Sequence, residues 1–148
     1  MNYIESPNEY EGDEISIFLA GGITNCLDWQ KELADKLKDL SITILNPRRK
    51  IFSSLNLGVE EEQVVKWEFD HIRKASAVSF WFSKETLNPI TLLELGSQLS
   101  LNKKLFIGID PDYQKKDNVI IQTKFARPEV EIVYSLDDLA SQIKNWGK

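Results

Sequence analysis

Two glutamates stand where a carboxylate needs a reason to be. In the segment 60–75, Val65, Glu68, Ile72 and Ala75 fall on one helix face at i, i+3, i+7 and i+10 spacing, so Glu68 interrupts an otherwise apolar stripe. Half-burying a carboxylate costs free energy unless it has a task or a partner, which makes Glu68 a candidate for acid–base or ligand-contact chemistry. The alternative is a side chain that reaches past the helix to solvent or to Arg73. Asp70 and His71 lie on other faces, where ordinary surface roles are expected, with Asp70 the reserve acid.

The second glutamate lies in Thr91-Leu-Leu-Glu94-Leu-Gly96. Thr-x-x-Glu before an apolar run is the signature of a capping box, which would put Glu94 in a first helical turn where the macrodipole keeps it ionised. A nucleophilic carboxylate would occupy the same place, and spacing alone does not separate the two roles. Gly21-Gly22 lets the backbone approach a ligand closely, and a helix start after it offers N–H groups to an anion; a plain tight turn fits equally. No G-x-G-x-x-G and no G-x-x-x-x-G-K-[ST] is present, so neither a dinucleotide fingerprint nor a P-loop is supported. Asn46-Pro47-Arg48-Arg49 sets two guanidiniums at a strand end, suited to phosphate or carboxylate, or simply a solvated basic loop.

The elements that must hold these groups alternate. Ile15–Ala20, Ile42–Leu45, Ala77–Phe82, Leu105–Ile109 and Glu131–Tyr134 read as strands. Helices are expected over Asp28–Leu40, with Trp29, Leu33, Leu37 and Leu40 on one stripe, over Glu60–Ala75 and Thr91–Leu101, and over Leu136–Trp146 behind a Ser135 cap. Asp110–Asn118 reads as a polar loop, and residues 1–14 as a flexible lead-in to a single domain spanning 15–148. Alternating strands and helices imply an α/β domain with a parallel sheet of about five strands and helices on both faces. Ligands of such sheets sit beyond the carboxyl ends of the strands, where the strand order reverses. That points to the loops Gly21–Asn25, Asn46–Lys50, Ser83–Ile90, Asp110–Asn118 and the one before Ser135.

Composition bounds the partners. The chain has 148 residues, 18 basic against 23 acidic, and a net charge of -5, which disfavours a broad grip on polymeric nucleic acid. The single cysteine, Cys26, has no partner for an internal disulfide, and with one histidine it does not complete a Cys/His zinc site; a reducing cytoplasm fits. Neither a signal peptide, a membrane anchor nor an eighteen-residue apolar run is read, and a soluble protein is expected.

The ordered set Ile17-Phe-Leu-Ala-Gly-Gly22, Asp28-Trp-Gln30, Asn46-Pro-Arg-Arg49, Trp67-Glu68, Phe80-Trp-Phe82 and Pro89-Ile-Thr-Leu-Leu-Glu-Leu-Gly96 resembles the nucleoside 2-deoxyribosyltransferase-like family over about Ile15 to Leu139. The resemblance implies a single flavodoxin-like or Rossmann-like domain and an enzyme that cleaves or exchanges an N-glycosidic bond. By match, Glu94 is the nucleophile that attacks C1′ and carries a covalent glycosyl intermediate, and Glu68 contacts the base or donates a proton. Asn118, in Asp117-Asn118-Val119, matches an asparagine that reaches a neighbouring subunit's site, which implies a homo-oligomer.

The chain departs from the family's better-known transferases at two places. Phe18 stands where they have a tyrosine that orients the nucleophile, and Asn88 stands at about the place of an aspartate. These changes resemble a more divergent branch. The expected substrate-binding set is Gly21, Gly22, Phe18, Arg48, Arg49, Asn88, Asn118 and Trp67, with a nucleoside or nucleotide and a free base as ligands and no metal or cofactor. Arg48 and Arg49 tilt the expectation toward a phosphorylated nucleoside or an NAD-like nucleotide. Hydrolysis would make the chain an N-glycosidase. A binding module without turnover is a second reading, and a flavodoxin-like electron carrier a weaker third, because the first loop lacks a Ser/Thr-rich phosphate cradle.

Overall fold

The run Ala77–Phe82 is buried at all six positions, the pattern of a strand covered on both faces. It forms the middle of a six-stranded sheet in this computed structural model, which describes residues 1–49 and 61–147. In chain order the elements are β1 (Asn2–Glu5), β2 (Ser16–Gly21), α1 (Trp29–Lys36), β3 (Thr43–Asn46), α2 (Glu61–Lys74) and β4 (Ala77–Phe82). They continue with α3 (Pro89–Leu99), β5 (Lys104–Ile109), α4 (Lys116–Ala126), β6 (Ile132–Val133) and α5 (Leu136–Trp146). Every strand pairing is parallel, in the order β1-β3-β2-β4-β5-β6.

Without β1 that order is the 2-1-3-4-5 arrangement of flavodoxin-like sheets, and it reverses between β2 and β4. Side chains alternate across each strand. Phe18 and Ala20 of β2 join Phe80 and Phe82 of β4 and Ile107 of β5 in one core layer, covered by Ile72 of α2, Leu95 of α3 and Val119 of α4. Ile17, Leu19, Trp81 and Phe106 point to the other face, where Leu33 and Leu37 pack with Leu139 and Ile143 of α5. Each fully buried Leu, Ile or Phe contributes about 1.5–3 kcal/mol, so these two layers are the main stabilising force. No described helix is long and apolar enough to cross a membrane.

Several expectations need correction. Residues 2–5 are not an unstructured lead-in: they form β1, in register with Thr43–Asn46. As an exposed edge strand β1 is held by backbone bonds, which leave no apolar alternation to read. Residues 116–126 form α4 where a loop ending at Asn118 was expected. Only Val119 and Thr123 of α4 are buried, too narrow a stripe for periodicity to reveal. The first helix is about one turn shorter than read, since α1 ends at Lys36 with Leu37 as its cap. Glu60 and Lys50, included in the expected second helix and second loop, lie outside the described residues. The cap at Ser135 is as read, and Asp28, read as the first residue of its helix, is a cap as well, each side chain accepting from the backbone N–H three residues on.

Candidate active site

The carboxyl ends of β2, β3 and β4 open onto a cleft of about 430 Å³ at the reversal point of the strand order. Gly21, Gly22 and Asn25 line it from the first loop, Pro47 from the second, Asn88 from the third, and Glu68 and Glu94 from α2 and α3. A narrower groove of about 220 Å³, lined by Val65 and Phe69 of α2 and Ile90 and Leu93 of α3, shares both glutamates with it.

The glycines fit closely packed places. A Cβ at Gly21 would lie 2.7 Å from the Trp81 carbonyl oxygen, and one at Gly22 would lie 2.9 Å from Cys26 Sγ. The Gly22 carbonyl accepts from Trp29 Nε1 at 3.0 Å and from Gln30 Nε2 at 3.1 Å, so α1 fixes the position of this turn. Across the cleft, Asn88 adopts a left-handed conformation at φ 51 and caps α3 without a side-chain cap bond. Its Nδ2 donates instead to the carbonyls of Ser83 and Thr86 at 3.0 and 3.1 Å, and its Oδ1 accepts from Thr86 Oγ1 at 3.0 Å. Asn88 thus shapes the wall of the cleft while its amide is taken up by its own loop.

Helix α3 starts at Pro89, so Thr91 lies inside it and Glu94 in its second turn. The capping-box reading falls, and with it the expectation that the helix terminus keeps Glu94 ionised. Burial pushes the Glu94 carboxyl up to about 8, with the Glu68 carboxylate adding to the rise. Burial raises Glu68 to about 7, opposed by the Arg49 guanidinium. Both groups lie in the range where an acid–base pair works at neutral pH, and as interacting sites they titrate as a pair. Glu94 Oε2 is buried without a hydrogen-bond partner among the described residues.

Other expected site residues stand elsewhere. Phe18 is fully buried in the core layer. Trp67 is also core: its Nε1 donates to the Asn8 carbonyl at 2.9 Å and its ring stacks on His71 at 3.9 Å. His71 is not a surface residue; it is fully buried, Nδ1 lying 2.7 Å from the Trp67 carbonyl while Nε2 accepts from the Tyr10 N–H at 3.2 Å. The segment around Tyr10 lies over α2 and covers it, a long-range contact that helix periodicity does not contain. Asn118 is exposed on α4, away from the cleft of its own chain.

Arg48 and Arg49 line a different cavity, of about 440 Å³, with Tyr3, Glu5 and Lys31 beside β1 and α1. Arg48 is bound into the first loop: its guanidinium donates to the carbonyls of Cys26 and Leu27, both at 2.9 Å, and to Gln30 Oε1 at 3.1 Å. Arg49 donates to Ser6 Oγ at 3.1 Å and acts on the cleft through its charge at Glu68. Thr24 and Thr91 line the cleft and were not singled out from the sequence, Thr91 because the capping motif accounted for it.

Residues 14–113 match the family described as nucleoside 2-deoxyribosyltransferase like, which takes in β2 through β5 and every residue lining the cleft. The chain belongs to that family. It is also similar to fructose-1,6-bisphosphatase class 3 of Streptococcus agalactiae serotypes Ia, V and III, at 27% identity over 112 residues. That alignment covers 74% of this chain but 17% of each relative, so the chain spans a small part of their length.

Proposed function

We propose that this family member cleaves or exchanges the N-glycosidic bond of a nucleoside or nucleotide, with Glu94 as nucleophile and Glu68 as base contact and proton donor. The observation that carries the reading is the pair itself: two half-buried carboxyls on one cleft at the sheet's reversal point, their proton affinities raised to about 7 and about 8. Between those values the pair holds about one proton. In the free protein Glu94, with the higher affinity, holds that proton; the reactive arrangement is the other one, reached when the proton moves to Glu68 and leaves Glu94 as the carboxylate. Glu94 attacks C1′, the C1′–N bond breaks, and the base leaves with the bonding electrons and takes the proton from Glu68. Water or a second base then gives its proton to the Glu68 carboxylate and attacks C1′; the C1′–O bond to Glu94 breaks and Glu94 leaves as the carboxylate, giving hydrolysis or transfer. Gly21 and Gly22, packed closely on Trp81 and Cys26, form the wall of the cleft beside the sugar.

The same reading has the chain act as a homo-oligomer in the cytoplasm, with Asn118, exposed on α4, contacting sugar in a neighbouring subunit. Arg48 is a loop fastener in it rather than a phosphate ligand.

A second reading, a nucleotide-binding module without turnover, draws on the unpartnered Glu94 Oε2 and on the phenylalanine at position 18, which has no hydroxyl to orient it. One experiment separates the two. The protein is incubated with ribo- and deoxyribonucleosides, their 5′-phosphates, NAD and fructose 1,6-bisphosphate, with and without free base, and the products are separated by chromatography. Base release or exchange that is lost in Glu94→Ala supports the enzyme. Tight binding with no product, and affinity retained in Glu94→Gln, supports the module. Release of inorganic phosphate alone would overturn both.

A further inference from the structure

Glu94 is not the only buried polar group on its side of α3 without a partner. Gln98 is fully buried, and neither its Oε1 nor its Nε2 has a hydrogen-bond partner among the described residues. A primary amide left unsatisfied in a protein interior forfeits its bonds to water without replacing them, so Gln98 calls for an explanation beyond packing.

Helix geometry supplies one. Gln98 follows Glu94 by four residues, which sets it about 40° around the helix and one turn along. Helical side chains lean toward the N-terminus, so a residue at i+4 covers the turn that carries residue i. Glu94 therefore lies on the side toward which the Gln98 side chain extends. The rest of the helix agrees. Leu95 and Thr91 hold the middle of the buried stripe, while Ile90, Leu93 and Ser97 turn to the groove beside α2, which Glu94 also lines. Gln98 falls between that stripe and the flank of Glu94.

We propose that Gln98 is the positioning residue for Glu94, its amide reaching back one helical turn to hold the carboxyl oxygen that otherwise has no partner. An amide suits a group that must change protonation state. Nε2 donates to the carboxylate, and after a turn of the amide Oε1 accepts from the protonated acid. The bond to the ionised form is the stronger, since a charge-assisted hydrogen bond is roughly twice a neutral one. Gln98 thus favours the ionised Glu94 that nucleophilic attack needs. It supplies from α3 the orienting bond that Phe18, buried and without a hydroxyl, does not supply from β2.

The proposal rests on the reading of Glu94 as the working carboxylate, but its test does not need turnover. Glu94 is titrated in the free, full-length protein by carboxyl ¹³C NMR, with its resonance assigned by its loss in Glu94→Gln. Gln98→Leu and Gln98→Met, the second keeping the length and flexibility of the side chain, are titrated beside the wild type and checked for fold by circular dichroism. The expected result is a midpoint for Glu94 higher by about half a pH unit or more in either folded variant. Should an activity be found, its rise with pH in kcat shifts by the same amount with KM little changed.

A Glu94 midpoint that stays in place or falls overturns the proposal. The competing arrangement is a buried water joining Gln98 to the equally unpartnered Thr123 Oγ1 of α4. In that case Gln98→Leu and Thr123→Val lower the thermal midpoint alike and leave the Glu94 titration unchanged. A substrate panel without product would count against the proposed reaction alone, because the titration is read without substrate.

Discussion

Glu68 on α2 and Glu94 on α3 face one cleft, and the charge of the first adds to burial in raising the proton affinity of the second. The relationship is ordered, with Glu68 near 7 ionising before Glu94 near 8. Glu68→Gln removes the charge and leaves the burial. The Glu94 midpoint is then expected to fall part of the way from about 8 toward its ordinary value of 4.5 without reaching it. Carboxyl ¹³C NMR reads this directly, and a midpoint that does not move would mean that the two carboxyls do not sense each other.

The same pair makes stability depend on pH in a defined direction. Both carboxyls have folded values raised above 4.5, so the folded protein binds protons more tightly than the unfolded chain. Their contribution is fully present below about 4.5 and is lost as pH rises through about 7 and about 8. Thermal melts of wild type and of the doubly substituted Glu68→Gln, Glu94→Gln protein across this window should diverge, the wild type losing Tm relative to the variant as pH rises. Parallel curves would show that these groups do not carry the dependence.

Arg48 separates a fastening role from a phosphate site. Arg48→Ala leaves the Cys26 and Leu27 carbonyls without the guanidinium that joins them, at a cost of about 1–3 kcal/mol in unfolding free energy. Because the loop also carries Gly22, any turnover should drop by a similar factor for a nucleoside and for its 5′-phosphate. A loss confined to the phosphorylated substrate would assign Arg48 to the ligand instead.

His71 ties the segment after β1 to α2. His71→Leu removes the acceptor of the Tyr10 N–H and leaves that buried backbone donor unpaired, while the Trp67 carbonyl loses its side-chain contact but keeps the helical bond from the N–H four residues on. Unfolding free energy is expected to fall by about 1–3 kcal/mol or more, and hydrogen exchange at the Tyr10 amide to quicken ahead of exchange in β4. Equal acceleration at both places would point to global unfolding in place of a local release.

The residues explain why some of this was legible in the sequence and some was not. Ala77–Phe82 and the Ser135 cap are written locally, in a continuous apolar run and in a side chain that bonds three residues away. The alternation of such segments is enough to imply the parallel sheet and the end of it that carries the cleft. What escaped depends on contacts distant in sequence. β1 exists because Thr43–Asn46 offers it an edge, and His71 is buried because the segment at Tyr10 crosses it. The two arginines read as ligands because their type was visible and the carbonyls that occupy Arg48 were not. At Glu94 a local rule left two roles open: Thr-x-x-Glu matches a capping box, and only the helix start at Pro89, two residues earlier than read, removes that alternative.

Asn88 offers a test in which side-chain bonding and backbone strain come apart. Its φ of 51 is unfavourable for a residue with a Cβ, and asparagine tolerates it better than most. Asn88→Ala and Asn88→Gly both delete the bonds to the Ser83 and Thr86 carbonyls, so both should unfold at lower urea than the wild type. Only alanine adds the left-handed penalty, so the glycine variant should be the more stable of the two by about 1 kcal/mol despite its greater chain entropy. Equal midpoints would mean that the loop relaxes out of the left-handed conformation once the amide is gone. The side-chain bonds would then be the cause of the backbone geometry at the mouth of the cleft, and the start of α3 would shift with them.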